Sequence, residues 1–293
     1  MIQPDFLVIG AYKSGTTALH HYVRAHPDIF VPLRKEPNYF AFADRVAPFD
    51  HPAAADSVRT REEYERLFTG ARAGQKLGEV SPAYLTVSSA CERIQATAPR
   101  VRLIAVLRNP VERAYSDYLM YRRKGLEHEE RFVDALRKQT DRDGTVDPTG
   151  HYISTGLYFE QLAPYFKTFE PSQLLVVLHE ELSSDRDLVL RDIFSFIGVD
   201  PAVAIEEQAP SNVSGVPKGL PMRVAYGVRN RFGNQLRHVV PPSVKRRLDT
   251  SLERRLTREP LPPDARAWLS DLYRPDVEKL ACLIDRDLSS WLR

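Results

Sequence analysis

Residues 10–17 read GAYKSGTT, which sets Lys13, Ser14, Thr16 and Thr17 around glycines at 10 and 15. Glycines let a loop turn tightly. A helix that starts where such a loop ends points its free N–H groups and positive dipole end into the adjoining crevice, which suits a phosphate. Thr16 and Thr17 add hydroxyl donors, and Lys13, on the outer curve of the loop, adds a cation for a terminal group. A second stretch, LIAVLRNPVERAYSDY at 103–118, puts Arg108 at the end of an apolar run and Ser116 one to two turns beyond Pro110. Both face the same crevice if the run is a strand and the rest a helix. The planar fork of an arginine binds two phosphate oxygens at once, so the two stretches together describe a site for a phosphorylated ligand.

The elements that must hold these residues follow from the apolar pattern. Phe6–Ile9 is a short apolar run closed by Gly10, Val101–Leu107 and Leu174–Leu178 are runs of similar length, and Lys76–Val80 is expected as a fourth strand. Runs of this kind bounded by turn residues read as buried strands. Thr16–Ala25, Pro110 to about Lys124 and Leu188–Ile197 carry helical spacing, stopped at Pro27 in the first case and Gly198 in the last. Strand, tight loop and helix recur without hairpins, which predicts a parallel α/β sheet with helices on both faces. Ligands of such sheets sit at the carboxyl ends of the strands, where Lys13 and Arg108 fall. The loop departs from the nucleoside-triphosphate motif G-x-x-x-x-G-K-[ST]: Thr16 stands where the lysine belongs, and the strand at 101–107 ends in Arg108-Asn109 rather than in an acid. An ordinary metal-dependent kinase is disfavoured by both differences.

Composition narrows the class further. The 293 residues are 43% hydrophobic and 27% charged, with 41 Lys+Arg against 39 Asp+Glu, the balance of a soluble globular chain. One domain spanning 1–293 is the economical reading. Its C-terminal section, 222–293, is predicted to be mainly helical and begins with a basic stretch. Residues 222–258 hold ten Lys/Arg and two Asp/Glu, a local +8 hidden in a total of +2. Leucines at 248, 252 and 256 give that stretch an apolar helix face, suited to docking on the domain or to peripheral contact with an anionic membrane surface. No recognition motif accompanies the charge, so nucleic acid is not expected as a partner. Cys91 and Cys282 show no metal spacing and are expected as reduced thiols. The N-terminus lacks a basic leader with a long apolar core, and the purely aliphatic runs span five residues against the ~20 that cross a bilayer. A cytoplasmic protein without a transmembrane segment is the expectation.

FLVIGAYKSGTTAL resembles the 5′-phosphosulfate loop of the sulfotransferases that use 3′-phosphoadenosine 5′-phosphosulfate (PAPS), and LIAVLRNPVERAYSDY resembles their 3′-phosphate strand-loop-helix. Similarity also runs through 35–40, 78–84 and 156–182, and the closing RDLSSW is like that of bacterial members. The branch most resembled is that of the heparan sulfate sulfotransferases and their bacterial relatives. The resemblance implies a P-loop-like three-layer α/β sandwich with a central parallel sheet. It also implies sulfuryl transfer from PAPS to a hydroxyl, less often an amine, of a small-molecule, glycolipid or saccharide acceptor, with PAP released and no metal required. Lys13 would contact the phosphosulfate, Ser14, Gly15, Thr16 and Thr17 would cradle the 5′-phosphate, and Arg108 and Ser116 would hold the 3′-phosphate. Lys218 and Gly219, in NVSGVPKGL at 212–220, would close over the nucleotide. Glu36, in KEPNYF, would be the general base, with Glu79 as its alternate. The heparan sulfate enzymes carry a lysine where this chain has Val80 and tend to carry a C-terminal cysteine pair that it lacks, which argues against a heparan-like polysaccharide. The rival readings are an atypical P-loop kinase, with Glu180 or Glu181 on a metal, and a non-catalytic nucleotide-binding relative.

Overall fold

The apolar runs become the strands of one parallel sheet. The structure is a computed structural model and describes residues 2–44, 52–54, 56–140, 151–206, 215–217, 256–257 and 259–293. β1 (Phe6–Gly10), β2 (Ile29–Phe30), β3 (Lys76–Val80), β4 (Arg102–Leu107) and β5 (Leu174–Leu178) lie in the order β2-β3-β1-β4-β5, all paired in parallel. The helices in chain order are α1 (Thr16–Ala25), α2 (Tyr39–Phe42), α3 (Arg61–Arg66), α4 (Ala83–Thr86), α5 (Ser89–Thr97) and α6 (Pro110–Lys124). They continue with α7 (Phe132–Arg137), α8 (His151–Ser154), α9 (Tyr158–Thr168), α10 (His179–Ser184), α11 (Arg186–Ile197) and α12 (Pro263–Ile284). A two-residue pair, β6 (Val216–Pro217) with β7 (Leu256–Thr257), is antiparallel.

Every residue of β1 is buried because a parallel strand at the centre of such a sheet is covered on both faces. On one face Phe6, Val8, Ile104, Val106 and Val177 meet Leu19 and Val23 of α1 and Ile193, Phe194 and Ile197 of α11. Each such side chain contributes about 1.5–3 kcal/mol on burial. On the other face Leu7 and Ile9 are equally buried; α4 packs on β1, and Tyr165 of α9 donates its hydroxyl to Tyr84 O at 2.7 Å. The expected α/β sandwich with a central parallel sheet is therefore present. The strand order places β1 where the chain changes direction across the sheet, between β3 and β4, and the crevice at its carboxyl end is where ligands of such sheets bind. Gly198 ends α11 with φ 84°, as its position in the sequence predicts.

The chain divides into two compact units. The first comprises Met1–Asn109, Leu157–Gln208 and Pro275–Leu288 and holds the whole five-stranded sheet. It also explains part of the closing motif: Arg286 pairs with Glu181 of α10, and Leu288 is buried. The second comprises Pro110–Gly156, Ala209–Arg274 and Ser289–Arg293. Its interior centres on Arg113, fully buried in α6, which donates to Asp117 Oδ2 at 3.3 Å and to Tyr152 O. Tyr273 OH donates to Tyr152 O and Ile153 O at 3.2 and 3.0 Å, and Tyr115 OH to Glu259 O at 3.1 Å. Most of the basic 222–258 stretch lies outside the described residues. The part of the C-terminal section beyond it is helical over Pro263–Ile284, and no helix of the described residues is long and apolar enough to cross a membrane.

Candidate active site

Past Gly10 the sheet still holds the chain, because Ala11 N–H donates to Val106 O at 2.7 Å. The loop then turns through positive φ at Lys13 (66°) and Gly15 (95°), and α1 starts at Thr16. Gly15 is favoured by its left-handed backbone, and a Cβ there would make a tight contact, 3.1 Å from His179 Cδ2. No side chain caps α1. Ser14 is fully buried, and its Oγ has no hydrogen-bond partner among the described residues. Leaving such a hydroxyl unsatisfied costs about 1–3 kcal/mol. A phosphate oxygen within the loop would accept from it, so the residues present fit a phosphate group.

Two groups from neighbouring strand ends close on this loop. Arg108, just past β4, donates Nη1–H to Lys13 O at 3.2 Å, which fixes the cationic end of β4 against the loop. His179, the first residue after β5, flanks Gly15. Burial, and after it the Arg108 charge, lower its pKa, so the imidazole beside the loop is neutral at pH 7. His179 belongs to none of the sequence motifs. Its place immediately after a buried strand was the signal that marks it.

The segment 35–40 docks on the carboxyl end of β3. Glu36 N–H donates to Val80 O at 3.2 Å, Asn38 N–H to Ser81 Oγ at 3.0 Å and Phe40 N–H to Tyr84 OH at 3.4 Å. Glu36 and Asn38 are held at φ 56° and 54°, unusual for residues with side chains. The Lys35 ammonium joins this segment to the phosphate loop. Its Nζ donates to Thr17 Oγ1 at 2.5 Å and pairs with Glu36 Oε1 at 2.8 Å. Lys13, Ser14, Gly15, Thr16, Thr17, Arg108 and Glu36, all named from sequence, thus meet in the first unit.

Glu79 is differently placed. It is buried, with Oε2 accepting from Ser81 Oγ at 2.6 Å and Oε1 accepting from the Tyr84 and Tyr64 hydroxyls. Burial pushes its pKa up to about 7, against the three hydroxyl donors that favour the anion. The Ser81 and Tyr84 hydroxyls also accept from the Asn38 and Phe40 N–H groups, so Glu79 anchors the segment that carries Glu36. His20 is a packed histidine. Its Nε2 donates to Pro32 O at 3.1 Å, and burial lowers its pKa to about 4.

The acids after β5 are engaged elsewhere. Glu180 Oε1 accepts from Asn109 N–H at 3.2 Å, and Glu181 takes Leu178 N–H and Arg286. Among the described residues no group of three or more His, Cys, Asp or Glu is arranged to hold a metal. Ser116 is buried in α6 of the second unit. Lys218 and Gly219 lie outside the described residues.

The sulfotransferase domain profile matches residues 3–214. Over 287 residues the chain is 28% identical to heparan sulfate glucosamine 3-O-sulfotransferase 3B1 of Mus musculus, covering 97% of this chain and 64% of that protein. It is 32% identical over 204 residues to heparan sulfate glucosamine 3-O-sulfotransferase 6 of Homo sapiens, covering 68% of this chain and 54% of that protein. The chain therefore spans little more than half to two thirds of these relatives. A crystal structure of a sulfotransferase from Alicyclobacillus acidocaldarius is similar over 100% of both chains, with a TM-score of 0.73 and 29% identity. With a family match over most of its length and the same fold in a 29% identical neighbour, this chain belongs to the sulfotransferase domain family.

Proposed function

We propose that this protein transfers a sulfuryl group from PAPS to a hydroxyl of an acceptor and releases PAP. PAPS supplies an activated sulfuryl group on the 5′-phosphate and a 3′-phosphate for recognition. The observation that carries the reading is the junction of a phosphate loop with a carboxylate, Thr17 and Glu36 sharing the Lys35 ammonium. Ser14, Gly15, Thr16 and Thr17 surround the 5′-phosphate, and Lys13 neutralises charge that builds on its leaving oxygen. Donors placed in advance for such charge contribute about 3 kcal/mol each to the rate. Arg108 takes the 3′-phosphate. Glu36 accepts the acceptor proton, since its side chain reaches the surface whereas that of Glu79 does not.

The likeness to heparan sulfate 3-O-sulfotransferases supports a saccharide hydroxyl as the acceptor, ahead of a glycolipid or small molecule. Val80, buried on β3, argues for a saccharide other than heparan sulfate. A kinase reading would need Glu180 or Glu181 on a metal, and both are committed to hydrogen bonds that hold the loops. The test is the thermal transition measured with PAP, with 5′-AMP and with ATP plus Mg²⁺. PAP is expected to raise it most. A rise with ATP–Mg²⁺ and none with PAP would overturn the assignment.

A further inference from the structure

Lys35 holds the phosphate loop and the proposed base together, and its position implies more than a strut. Its Nζ is 2.5 Å from Thr17 Oγ1, on the first turn of α1, and 2.8 Å from Glu36 Oε1. The side chains of Lys35 and Glu36 are 27% and 32% exposed. An ion pair this open contributes little to stability, so the pair is a poor stabilising device. The backbone beneath it is nevertheless firmly set, with Glu36 N–H on Val80 O and Asn38 N–H on Ser81 Oγ.

This inference rests on the reading above. With the 5′-phosphate over α1 and the acceptor hydroxyl beside Glu36, the group in flight passes between them, because the attacking and leaving oxygens lie roughly in line. A cation touching both ends sits beside that path. An ammonium has three N–H donors and no geometric fork, so Lys35 reaches a sulfuryl oxygen without losing Thr17.

We propose that Lys35 is a second catalytic cation, which donates to a non-bridging oxygen of the sulfuryl group and releases Glu36 when PAPS is bound. In the step itself the acceptor oxygen forms a new bond to sulfur, and the bond from sulfur to the 5′-phosphate oxygen breaks with its electron pair going to the phosphate. The acceptor proton passes to Glu36, and Lys35 keeps its own protons. Lys13 serves the leaving oxygen and Lys35 the group transferred. Glu36 stays paired, and the two ends stay tied, until the donor arrives.

PAP lacks the sulfuryl group, so comparing PAP with PAPS isolates this contact. Titration calorimetry of wild type, Lys35→Met and Lys35→Arg with each nucleotide is the test. Lys35→Met is expected to weaken PAPS binding by about 10- to 100-fold, the worth of one charge-assisted hydrogen bond, while PAP binding stays within a few fold. Lys35→Arg should recover much of the PAPS affinity. Retained PAP binding also shows that the variant is folded. Equal losses for PAP and PAPS would make Lys35 a phosphate ligand or loop support, and no loss for either would remove it from the site; each result overturns the proposal. A wild type that binds neither nucleotide overturns the parent reading along with it. Unchanged turnover in Glu36→Gln would overturn the base assignment alone, leaving the PAP–PAPS difference at Lys35 to stand.

Discussion

Glu36 and Glu79 sit on segments joined by the bond from Glu36 N–H to Val80 O, yet their carboxyls meet different surroundings. Glu36 is partly exposed and paired with a mobile-stemmed lysine, so an acceptor can displace that partner. Glu36→Gln is therefore expected to lower sulfuryl-transfer turnover by about 10²–10⁴-fold, with PAP affinity unchanged by calorimetry. Glu79 is buried among Ser81, Tyr64 and Tyr84, and its burial raises its pKa from 4.5 to about 7. The two tyrosines facing it are pushed well above 10 by burial first and the glutamate second, so both remain donors. The folded state binds the Glu79 proton more tightly than the unfolded state does. That contribution to stability is complete below pH 4.5 and is lost as the pH rises through about 7, a difference of about 3 kcal/mol. Urea unfolding between pH 4.5 and 8 should show wild-type stability falling relative to Glu79→Gln. Parallel curves for the two would place the Glu79 pKa near its ordinary value.

At the scale of elements, α6 carries the clearest stability prediction. Arg113 is fully buried and bonds Asp117 and Tyr152 O, so truncating it strands a buried carboxylate and leaves that carbonyl only the Tyr273 hydroxyl among its described donors. Arg113→Ala should cost about 3–5 kcal/mol in urea unfolding, and pairing Arg113→Met with Asp117→Leu should recover most of it. A small loss in the single variant would mean that water reaches Asp117. The same scale shows which elements were legible. β1, β4 and β5 were readable as apolar runs because they pack against helices, whereas β3 (KLGEV) is a mixed run. β2 is two residues long, too short for any period to show. The turn at 35–40 was opaque for another reason. Positive φ at Glu36 and Asn38 costs about 1–3 kcal/mol apiece and is held by Val80 O and Ser81 Oγ, contributed by residues some forty positions later.

For the whole molecule, the net charge of +2 gives no hint of an anionic substrate. The proposed binding of PAPS asks only for a few cations at the ends of neighbouring strands, and summed composition cannot register them. The global consequence is linkage. PAP at 100 times its dissociation constant should stabilise the folded chain by about 2.7 kcal/mol, a rise of roughly 5–10 °C in Tm at the ~2–4 °C per kcal/mol typical of larger domains. Arg108→Ala should bring the PAP response down to that of ADP, and an undiminished gap between the two would take Arg108 off the 3′-phosphate.

The sequence by itself determined β1, β3, β4 and β5, the helix after the loop, the glycine-bounded turn at 10–17 that carries Lys13, and the place of Arg108 just past a strand end. All of these rest on local spacing: apolar runs, glycine positions and residues just past strand ends. Only the tertiary structure buried Glu79 and left Glu36 partly exposed, brought His179 against Gly15 and set Lys35 between Thr17 and Glu36. Burial and contact across strands that are adjacent in the sheet but distant along the chain leave no local pattern, and those are the quantities in which the two glutamates differ.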